Sequence, residues 1–426
     1  MSKYKTLSAA ERRAELDRLY SEYAKIQSLC LHLDLTRGKP CTQQLALSDQ
    51  LWNGVSDGDF TLDGVDVRNY GFLGGLPATR KLFAQLMEVK PQQVFIGGNA
   101  SLQLMSDVLT RAYISGLPNS PRPWGKEECV KFLCPCPGYD RHFKLSLSLG
   151  MELVPVPLLD DGPDMDIAER LAADPHVKGI WCVPKYSNPD GVIYSDHVLN
   201  RLANMHTAAA DFLIMLDNAY CIHPLYEYTE RISNVLQLCE NAGYPNRVVM
   251  FMSTSKITHA GAGLAAFAAN EPLLAYLTKL FGFSTISYNK VNELLHLRFL
   301  RDRQTVDALM CKHADILRPK FEAILRVLRR DLGDLGIARW TEPRGGYFIG
   351  LYAFPKSAAR VHKLCAVAGL ALTPAGAAFP YGNDPQDSHL RIAPSYASLT
   401  EIEQAAELLT VCVRIAALER IDSAKD

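Results

Sequence analysis

Short apolar runs alternate with amphipathic stretches along most of the chain. Apolar runs with few polar interruptions cover residues 93–97, 130–134, 153–157, 179–184, 212–217 and 248–253. Between them, apolar residues recur at helical spacing in residues 102–113, 167–173 and 197–210. Uniformly apolar strands separated by helices are typical of a parallel sheet that is covered on both faces. The pattern therefore predicts an α/β fold with a mostly parallel sheet.

The pattern changes near residue 305. A long helical segment, 306–332, precedes shorter helical segments at 358–369 and 400–420, which predicts a second, smaller α+β domain. Ser8 and Glu11 have the spacing of a capping box, so we expect a helix to begin there and to pack with the small domain. The predicted organisation is an N-terminal segment 1–50, a large domain 51–305 that contains the parallel sheet and a small domain 306–426.

Composition and charge exclude several classes of function. The 426 residues are 48% hydrophobic, and 45 basic residues balance 46 acidic ones, so nothing indicates a partner such as nucleic acid or an anionic membrane. The N-terminus is polar, and no apolar stretch approaches the roughly 20 residues of a membrane span. The 11 cysteines lack metal-ligand spacing, which favours reduced thiols, no metal site and a cytoplasmic location.

Polar residues that could take part in catalysis or ligand binding directly follow the apolar runs. Lys256 comes just after run 248–253, and Asp217 ends run 212–217. Ligands of parallel sheets collect beyond the carboxyl ends of the strands. A lysine can form a Schiff base with a carbonyl cofactor, and an acid can keep the nitrogen of a pyridine ring protonated. Taken singly, Lys256 could equally be a solvated residue and Asp217 a helix cap.

Three further segments fit the same kind of ligand. The small residues 97–101 after the first run would let backbone N–H groups at a helix N-terminus approach a phosphate, although a plain glycine turn has the same composition. Tyr139 follows a second run and could stack on a pyridine face. Asn188, in a turn of sequence Asn-Pro-Asp-Gly, could donate to a phenolate oxygen.

Four short motifs in a fixed order carry a family resemblance. They are Asn188-Pro-x-Gly191, Asp217-x-Ala-Tyr220, Ser255-Lys256 and Arg391-Ile-Ala. In this order they resemble the fold-type-I aminotransferases of class I and II, which depend on pyridoxal 5′-phosphate, over about residues 34–409. The strings at 35–40, 137–143 and 254–258 are similar to the divergent class Ic aspartate aminotransferases, sometimes labelled MocR-like.

The resemblance implies a role for each matching residue. Lys256 would bind the cofactor covalently and move the proton at Cα, Asp217 would pair with the pyridine nitrogen, and Asn188 and Tyr220 would donate to the ring oxygen. Tyr139 would stack on the ring. The phosphate would be held by the residues Gly98, Asn99, Ala100, Ser101, Ser253 and Ser255.

The resemblance also implies how substrate and subunits are arranged. Arg391 would bind the α-carboxylate of an amino acid or 2-oxo acid, with Gly38 and Asn188 beside it. Arg141 is the first candidate for the distal carboxylate of aspartate or glutamate, an isolated ion pair being the other interpretation, and Arg37 is the second candidate. Tyr70 would reach the neighbouring subunit's phosphate in a homodimer with shared sites.

One position departs from the family. Many members have a phosphate-binding arginine eight residues after the lysine, where this chain has Leu264. Additional hydroxyl groups or His259 would then balance the phosphate.

The leading prediction is amino transfer between aspartate or glutamate and a 2-oxo acid. An aromatic amino acid or kynurenine aminotransferase, or a β-lyase on the same fold, remains open. A MocR-type regulator needs a basic domain of some 70 residues before the aminotransferase segment. We do not expect such a regulator, because the matching segment already starts near residue 34.

Overall fold

The computed structural model describes residues 2–227 and 230–423. Its helices are α1 Lys3–Thr6, α2 Ala9–Gln27, α3 Thr42–Ala46, α4 Pro77–Met87, α5 Ser101–Ser115, α6 Asp140–Ser148, α7 Met165–Leu171, α8 Asp196–Asn204, α9 Val235–Asn241, α10 Glu271–Phe281, α11 Lys290–Leu300, α12 Arg303–Leu332, α13 Ala358–Val367 and α14 Leu399–Ser423. Its strands are β1 Leu33–Asp34, β2 Thr61–Leu62, β3 Val65–Asp66, β4 Val94–Ile96, β5 Lys131–Cys136, β6 Glu152–Leu159, β7 Gly162–Pro163, β8 Val177–Cys182, β9 Leu213–Asp217, β10 Val248–Ser253, β11 Ala265–Ala268, β12 Arg339–Trp340, β13 Ile349–Tyr352, β14 Leu370–Ala371 and β15 His389–Ile392.

The large sheet has the strand order β4-β11-β10-β9-β8-β5-β6-β7. All six predicted strands are in it, and they run parallel to one another. Strand β11 was not predicted; it pairs antiparallel with both β10 and β4. The short strand β7 is also antiparallel, to β6. The predicted α/β class with a mostly parallel sheet is confirmed.

Both faces of this sheet are buried, which is why its strands are uniformly apolar. In β9, Leu213 and Met215 belong to the apolar cluster on one face, and Ile214 and Leu216 to the cluster on the other. Helix packing on both sides thus removes the alternation of polar and apolar residues expected of a sheet with one solvated face. The carboxyl ends of the parallel strands all meet at one edge, where the functional site lies.

A second core joins the N-terminal helix to the C-terminal third of the chain. Leu16 and Leu19 of α2 pack in one cluster with residues of α13, α14 and the antiparallel sheet β12-β13-β15. Strands β1 and β14 pair in parallel and add a further connection. The boundary near residue 305 stays a prediction, because α12 itself contributes to both cores. Within the described residues, no helix has both the length and the apolar character of a membrane span.

Candidate active site

Lys256 lies just beyond β10, at the carboxyl edge of the large sheet. Its side chain lines a cavity that also contacts Ser101, Tyr139, Asn188, Asp217 and Tyr220. Its ammonium nitrogen lies 4.8 Å from the centre of the Tyr220 ring. Burial lowers the pKa of Lys256, while the nearby Asp217 carboxylate opposes the shift. The lowered pKa enlarges the fraction of uncharged, nucleophilic amine at a given pH.

Asp217 ends β9 and points into the same cavity. Its Oδ2 lies 3.0 Å from Nε2 of His142, and its Oδ1 accepts the backbone N–H of Ala219 at 3.2 Å. The His142 ring stacks on Trp181 with 4.2 Å between centroids and 5° between planes. Strand end, backbone and imidazole therefore fix the carboxylate in one orientation.

His142 was not predicted from the sequence, although a signal was present. It comes three residues after Tyr139, in the first turn of α6, and residues at this spacing lie on the same side of a helix. The two rings contact edge to face, with centroids 4.9 Å apart. His142 could therefore have been found by asking which other side chain shares the side of α6 that carries Tyr139.

Arg391 of β15 and Asn188 contact each other across the site. Asn188 Oδ1 accepts a hydrogen bond from Arg391 Nη1 at 3.2 Å, which leaves the Asn188 amide N–H groups for a ligand. Arg391 Nη2 donates to the carbonyl of Thr36 and to the hydroxyl of Thr373. The buried Nε of Arg391 has no partner in the described part of the chain. The guanidinium is thus held by three hydrogen bonds, its Nη1 also lies 3.6 Å from Oδ1 of Asp140, and its Nε–H stays without a partner among the described residues.

Gly38 and Phe348 form the floor beneath this arginine. The Arg391 guanidinium lies 5.0 Å from the centre of the Phe348 ring. A Cβ at Gly38 would lie 2.5 Å from Cζ of Phe348, closer than atoms can approach. Position 38 therefore has to be glycine for the segment that carries Thr36 to close over the ring.

Tyr139 and Tyr220 are both held in their protonated form. Burial is the main cause that raises the pKa of Tyr139 to about 12 and the pKa of Tyr220 well above its ordinary value. The Tyr220 hydroxyl has no hydrogen-bond partner among the described residues. A protonated phenol without a protein partner is a ready donor to a ligand oxygen.

The predicted phosphate-binding residues come together at the N-terminus of α5. Gly98 has φ +66°, a left-handed conformation that glycine adopts without strain. Ser253 Oγ donates to Ser255 Oγ at 3.1 Å, and Ser255 Oγ donates to the carbonyl of Asn99 at 3.2 Å. The first turn of α5, which begins at Ser101, contains no acidic residue. Free N–H groups and the helix dipole make this a favourable place for an anion.

Leu264 is buried in the core, and it also lines a cavity beside Gly98 and Asn99. Its backbone N–H donates to Oγ1 of Thr254 at 2.8 Å. His259 stacks on Trp52, with centroids 5.4 Å apart, and its Nδ1 has no hydrogen-bond partner in the described residues. Trp52 lines a cavity of about 670 Å³ together with Gly98, Asn99 and Gly261. The other ring nitrogen of His259, Nε2, lies 3.5 Å from Oδ1 of Asp49, so only Nδ1 is without a partner among the described residues.

Three of the predicted site residues are exposed at the surface of the single chain. Arg141 is exposed in the first turn of α6, and Arg37 is exposed in the segment after β1. The Tyr70 side chain is 77% exposed. A single chain thus assembles every other predicted site residue at one edge of the sheet and leaves these three at its surface.

Comparison with known proteins shows the family of this chain. The profile of the aspartate amino-transferase family matches residues 7–425. An aspartate aminotransferase of Corynebacterium glutamicum is 45% identical over 399 residues, which are 93% of this chain and 92% of the relative. A crystal structure of an aspartate transaminase from Corynebacterium glutamicum is similar at a TM-score of 0.97 and 43% identity, covering 99% of each chain.

The fold also occurs in enzymes with other substrates. Kynurenine aminotransferase from Pyrococcus horikoshii is similar at a TM-score of 0.74 over 97% of this chain and 96% of that one, with 16% identity. Fold and site together define an α/β aminotransferase whose cofactor is pyridoxal phosphate. The chain belongs to the aspartate amino-transferase family.

Proposed function

We propose that this protein is an aspartate aminotransferase, which moves an amino group between aspartate or glutamate and a 2-oxo acid. The observation that carries the proposal is one cavity in which the Lys256 amine, the Asp217 carboxylate and the Asn188 amide meet. The name and the 45% identity of the Corynebacterium relative support the choice of substrate.

The residues around this cavity fit pyridoxal phosphate. The Lys256 amine and the Tyr220 hydroxyl have no hydrogen-bond partner in the described chain, and buried Nε of Arg391 has none either. Lys256 and Tyr220 line one cavity, and polar groups that face a cavity without a protein partner are available to a ligand. When bound, the cofactor supplies a carbonyl that reacts with amines and a ring that takes up the electron pair released at Cα.

Asp217 maintains the charge that this chemistry needs. A carboxylate beside the pyridine nitrogen favours the protonated ring. His142 keeps the carboxylate oriented toward the ring, and Tyr139 covers one face of it. Asn188 and Tyr220 donate to the phenolic oxygen of the ring, Tyr220 because its raised pKa retains the proton.

Lys256 acts at both ends of the proton transfer. Its lowered pKa favours the neutral amine. This amine would accept the proton from Cα of the substrate and deliver it to C4′ of the cofactor. Arg391 binds the α-carboxylate through its free Nε, above the floor formed by Gly38 and Phe348. Substrate and amine are thereby held in reacting geometry.

The phosphate is bound by backbone N–H groups and hydroxyls rather than by an arginine. The donors are at the N-terminus of α5, in residues Gly98, Asn99, Ala100 and Ser101, and on Ser253 and Ser255. His259 takes the place of the arginine that is absent at position 264. The support is that its Nδ1 has no partner among the described residues and that its ring stacks on Trp52, which lines the cavity beside Gly98 and Asn99; its Nε2 lies 3.5 Å from Oδ1 of Asp49.

Arg141 binds the distal carboxylate of the substrate. The support is that it follows Tyr139 by two residues, that its charge acts on the Tyr139 hydroxyl, and that it has no ion pair among the described residues. Arg37 is the alternative, in the loop that contains Gly38. An aromatic or kynurenine aminotransferase, or a β-lyase, has no arginine requirement at this end of the substrate, and the shared fold alone does not exclude it.

The test is a half-reaction screen with the purified protein in its pyridoxal-phosphate form. Each of the twenty amino acids is mixed with it, and the loss of the cofactor absorbance is followed. We expect aspartate and glutamate to react fastest. Arg141→Ala should lower the aspartate-to-phenylalanine ratio by the equivalent of about 2–5 kcal/mol. Arg391→Ala should slow all amino acids alike, because each carries an α-carboxylate.

Lys256→Ala is the control for the screen. It should bind the cofactor, because the phosphate and ring contacts remain, but lose transfer by orders of magnitude. Borohydride should fix the cofactor to Lys256 in the wild type and to no residue in the variant. A wild type that prefers aromatic donors would refute the aspartate specificity and leave the aminotransferase assignment intact.

We also propose that the active protein is a homodimer with shared sites. Tyr70 is exposed in a single chain, as are the apolar residues Phe72, Phe283 and Ile286. The cavity that Gly98, Asn99 and Trp52 line has a volume of about 670 Å³, so the anion site has room for a side chain from a second copy. Tyr70 of the second copy would complete the phosphate site.

A further inference from the structure

A buried carboxylate next to the site has no part in the reaction described above. Asp190 is only 6% exposed. Its Oδ1 lies 3.0 Å from Nε2 of His389, and its Oδ2 accepts a hydrogen bond from the hydroxyl of Tyr352. His389 is 2% exposed, so the contact is shielded from water. A buried carboxylate is costly unless it is fully hydrogen-bonded, so this arrangement requires a reason.

Asp190 and Asn188 belong to one rigid turn. The carbonyl of Ser187 accepts the N–H of Gly191 at 2.7 Å, and the Ser187 hydroxyl accepts the N–H of Val192 at 3.0 Å. These bonds close the turn on itself. A contact that fixes Asp190 therefore also fixes Asn188, two residues earlier.

His389 and Arg391 are likewise two residues apart, on β15, so their side chains point to the same face of the small sheet. The turn thus meets the strand at two parallel contacts, Asn188 with Arg391 and Asp190 with His389. In the neighbouring strand β13, Gly350 lies opposite Arg391, and Tyr352 lies opposite His389. The small sheet therefore supplies all three partners of this turn from two adjacent strands.

Gly350 makes the space that Asp190 occupies. A Cβ at this position would lie 2.0 Å from Oδ1 of Asp190. No side chain larger than hydrogen fits there unless the carboxylate moves. The missing side chain at Gly350 therefore accommodates the Asp190 carboxylate. This is a second observation, separate from the hydrogen bonds of Asp190.

We infer that Asp190, with His389 and Tyr352, is a positioning device that holds the Asn188 turn against β15 and so sets the distance between Asn188 and Arg391. We name these three residues the Asp190 cluster. The cluster touches neither substrate nor cofactor; it acts through the two residues that do. Because Arg391 and Asn188 contact parts that every amino acid substrate shares, the cluster governs reactivity without selecting a side chain. The inference rests on the roles of Asn188 and Arg391 in the proposed function.

The first test is Asp190→Ala, measured per cofactor-loaded site. We expect kcat/KM to fall about 100-fold, the loss that a displacement of about 1 Å produces at an active site. Aspartate and phenylalanine should lose the same factor, so their ratio stays constant. Asp190→Asn keeps the shape, and its amide can serve both partners, so it should restore most of the activity. The matched control is Asp211→Ala, which removes a buried carboxylate bound by Lys178 and Trp124 at the far end of β9.

Asp211→Ala should lower thermal stability but leave the per-site kinetics unchanged. If Asp190→Ala behaves in the same way, its role is purely structural and the inference fails. A change in the aspartate-to-phenylalanine ratio would also overturn it, because the cluster would then contact the side-chain pocket.

Gly350→Ala tests the same geometry with the Asp190 cluster intact. The methyl group displaces the carboxylate, so this variant should lose activity as Asp190→Ala does. The double variant Asp190→Ala/Gly350→Ala should be no worse than either single one, because both changes break one contact. Wild-type kcat/KM in folded Gly350→Ala, or additive losses in the double variant, would contradict the inference. Gly350→Ala also decides the question if Asp190→Ala cannot be obtained folded.

A binding measurement separates this inference from the proposed function. Maleate is a dicarboxylate without an amine, so its Kd for the cofactor-loaded protein reports the placement of Arg391 without any transfer. We expect Asp190→Ala to weaken maleate about tenfold or more, the worth of one hydrogen bond to a charged group. A wild type that binds maleate but transfers no amino group would refute the proposed function alone. An unchanged maleate Kd in Asp190→Ala would refute the role of the cluster alone.

Discussion

At the scale of single residues, Asp217 shows how position decides chemistry. Its carboxylate is held by His142 and a backbone N–H, and no lysine or arginine among residues 2–227 and 230–423 is within ion-pair distance of it, although the Lys256 charge lies near. Its charge is therefore available to the ring nitrogen. We expect Asp217→Ala to lower kcat about 100-fold or more, the size seen when one preorganised electrostatic contact is removed, with KM for aspartate within about threefold. With aspartate deuterated at Cα, the isotope effect on the variant should rise. A loss in KM alone would contradict this role.

The sequence predicted the residues that follow strand ends and missed those that support them. Lys256, Asp217, Asn188 and Tyr220 could be found because a parallel sheet brings its strand ends to one edge. His142 and Asp190 could not be assigned in the same way, since their roles depend on which buried partner lies within 3.0 Å. Such contacts join segments that are 75 or 199 residues apart. A local pattern can suggest the residue, as the spacing of His142 from Tyr139 does, but it does not identify the distant partner.

At the scale of secondary-structure elements, apolar runs predicted strands well where both faces are buried. Strand β11 was missed because residues 261–269 are mainly Ala and Gly, which have low strand propensity; pairing with β10 and β4 imposes the extended conformation. The helix predicted at 197–210 ends at Asn204. Its predicted last turn was wrong because Met205 is not helical and Ala208 N–H bonds instead to the carbonyl of Ala172.

The predicted capping box at the start of α2 is present and permits a test at this scale. Ser8 Oγ accepts the Glu11 N–H at 3.2 Å, and the Glu11 carboxylate accepts the Ser8 N–H at 2.7 Å. Because α2 packs on α14, fraying of this helix should weaken the second core. Ser8→Ala should lower the free energy of unfolding in urea by about 1 kcal/mol. Ser28→Ala, at the other end of α2, is the control and should have little effect.

At the scale of the whole molecule, three buried histidines make stability depend on pH. Burial lowers the pKa of His223 to about 3 and the pKa of His296 and His313 to about 4. In the unfolded chain histidine titrates near 6.5, so between that value and pH 4 the unfolded chain binds more protons and stability falls as pH falls. From pH 7 to 5 each histidine should cost about 2 kcal/mol in the free energy of unfolding.

Urea unfolding at several pH values measures this slope. His296→Gln should reduce the fall between pH 7 and 5 by about 2 kcal/mol, because one neutral buried imidazole is gone. The matched control is His206→Gln, at an exposed position in the loop after α8, which should leave the slope unchanged. Equal slopes for the wild type and His296→Gln would show that this imidazole does not differ in protonation between the folded and unfolded chains.

The proposed dimer makes a prediction that no single chain can satisfy. Tyr70 is 77% exposed and lies away from Lys256 in its own chain, so we expect it to serve the site of a second copy. Tyr70→Ala and Lys256→Ala should each be nearly inactive alone. Because a dimer of this type is closed and two-fold symmetric, a hybrid of the two variants has one site with both changes and one with neither. Mixing equal amounts, with subunit exchange, makes half of the dimers hybrids and should restore about a quarter of wild-type activity.

The mixture has to be compared with the sum of the separate variants and with a mixture that is prevented from exchanging subunits. Recovery only after exchange would place Tyr70 and Lys256 of one working site on different subunits. If each chain instead completed its own site, every hybrid would hold two damaged sites and no activity would return. A fully active monomer in sedimentation would lead to the same conclusion, and the phosphate would then need a donor from within the chain, for which His259 is the next residue to test.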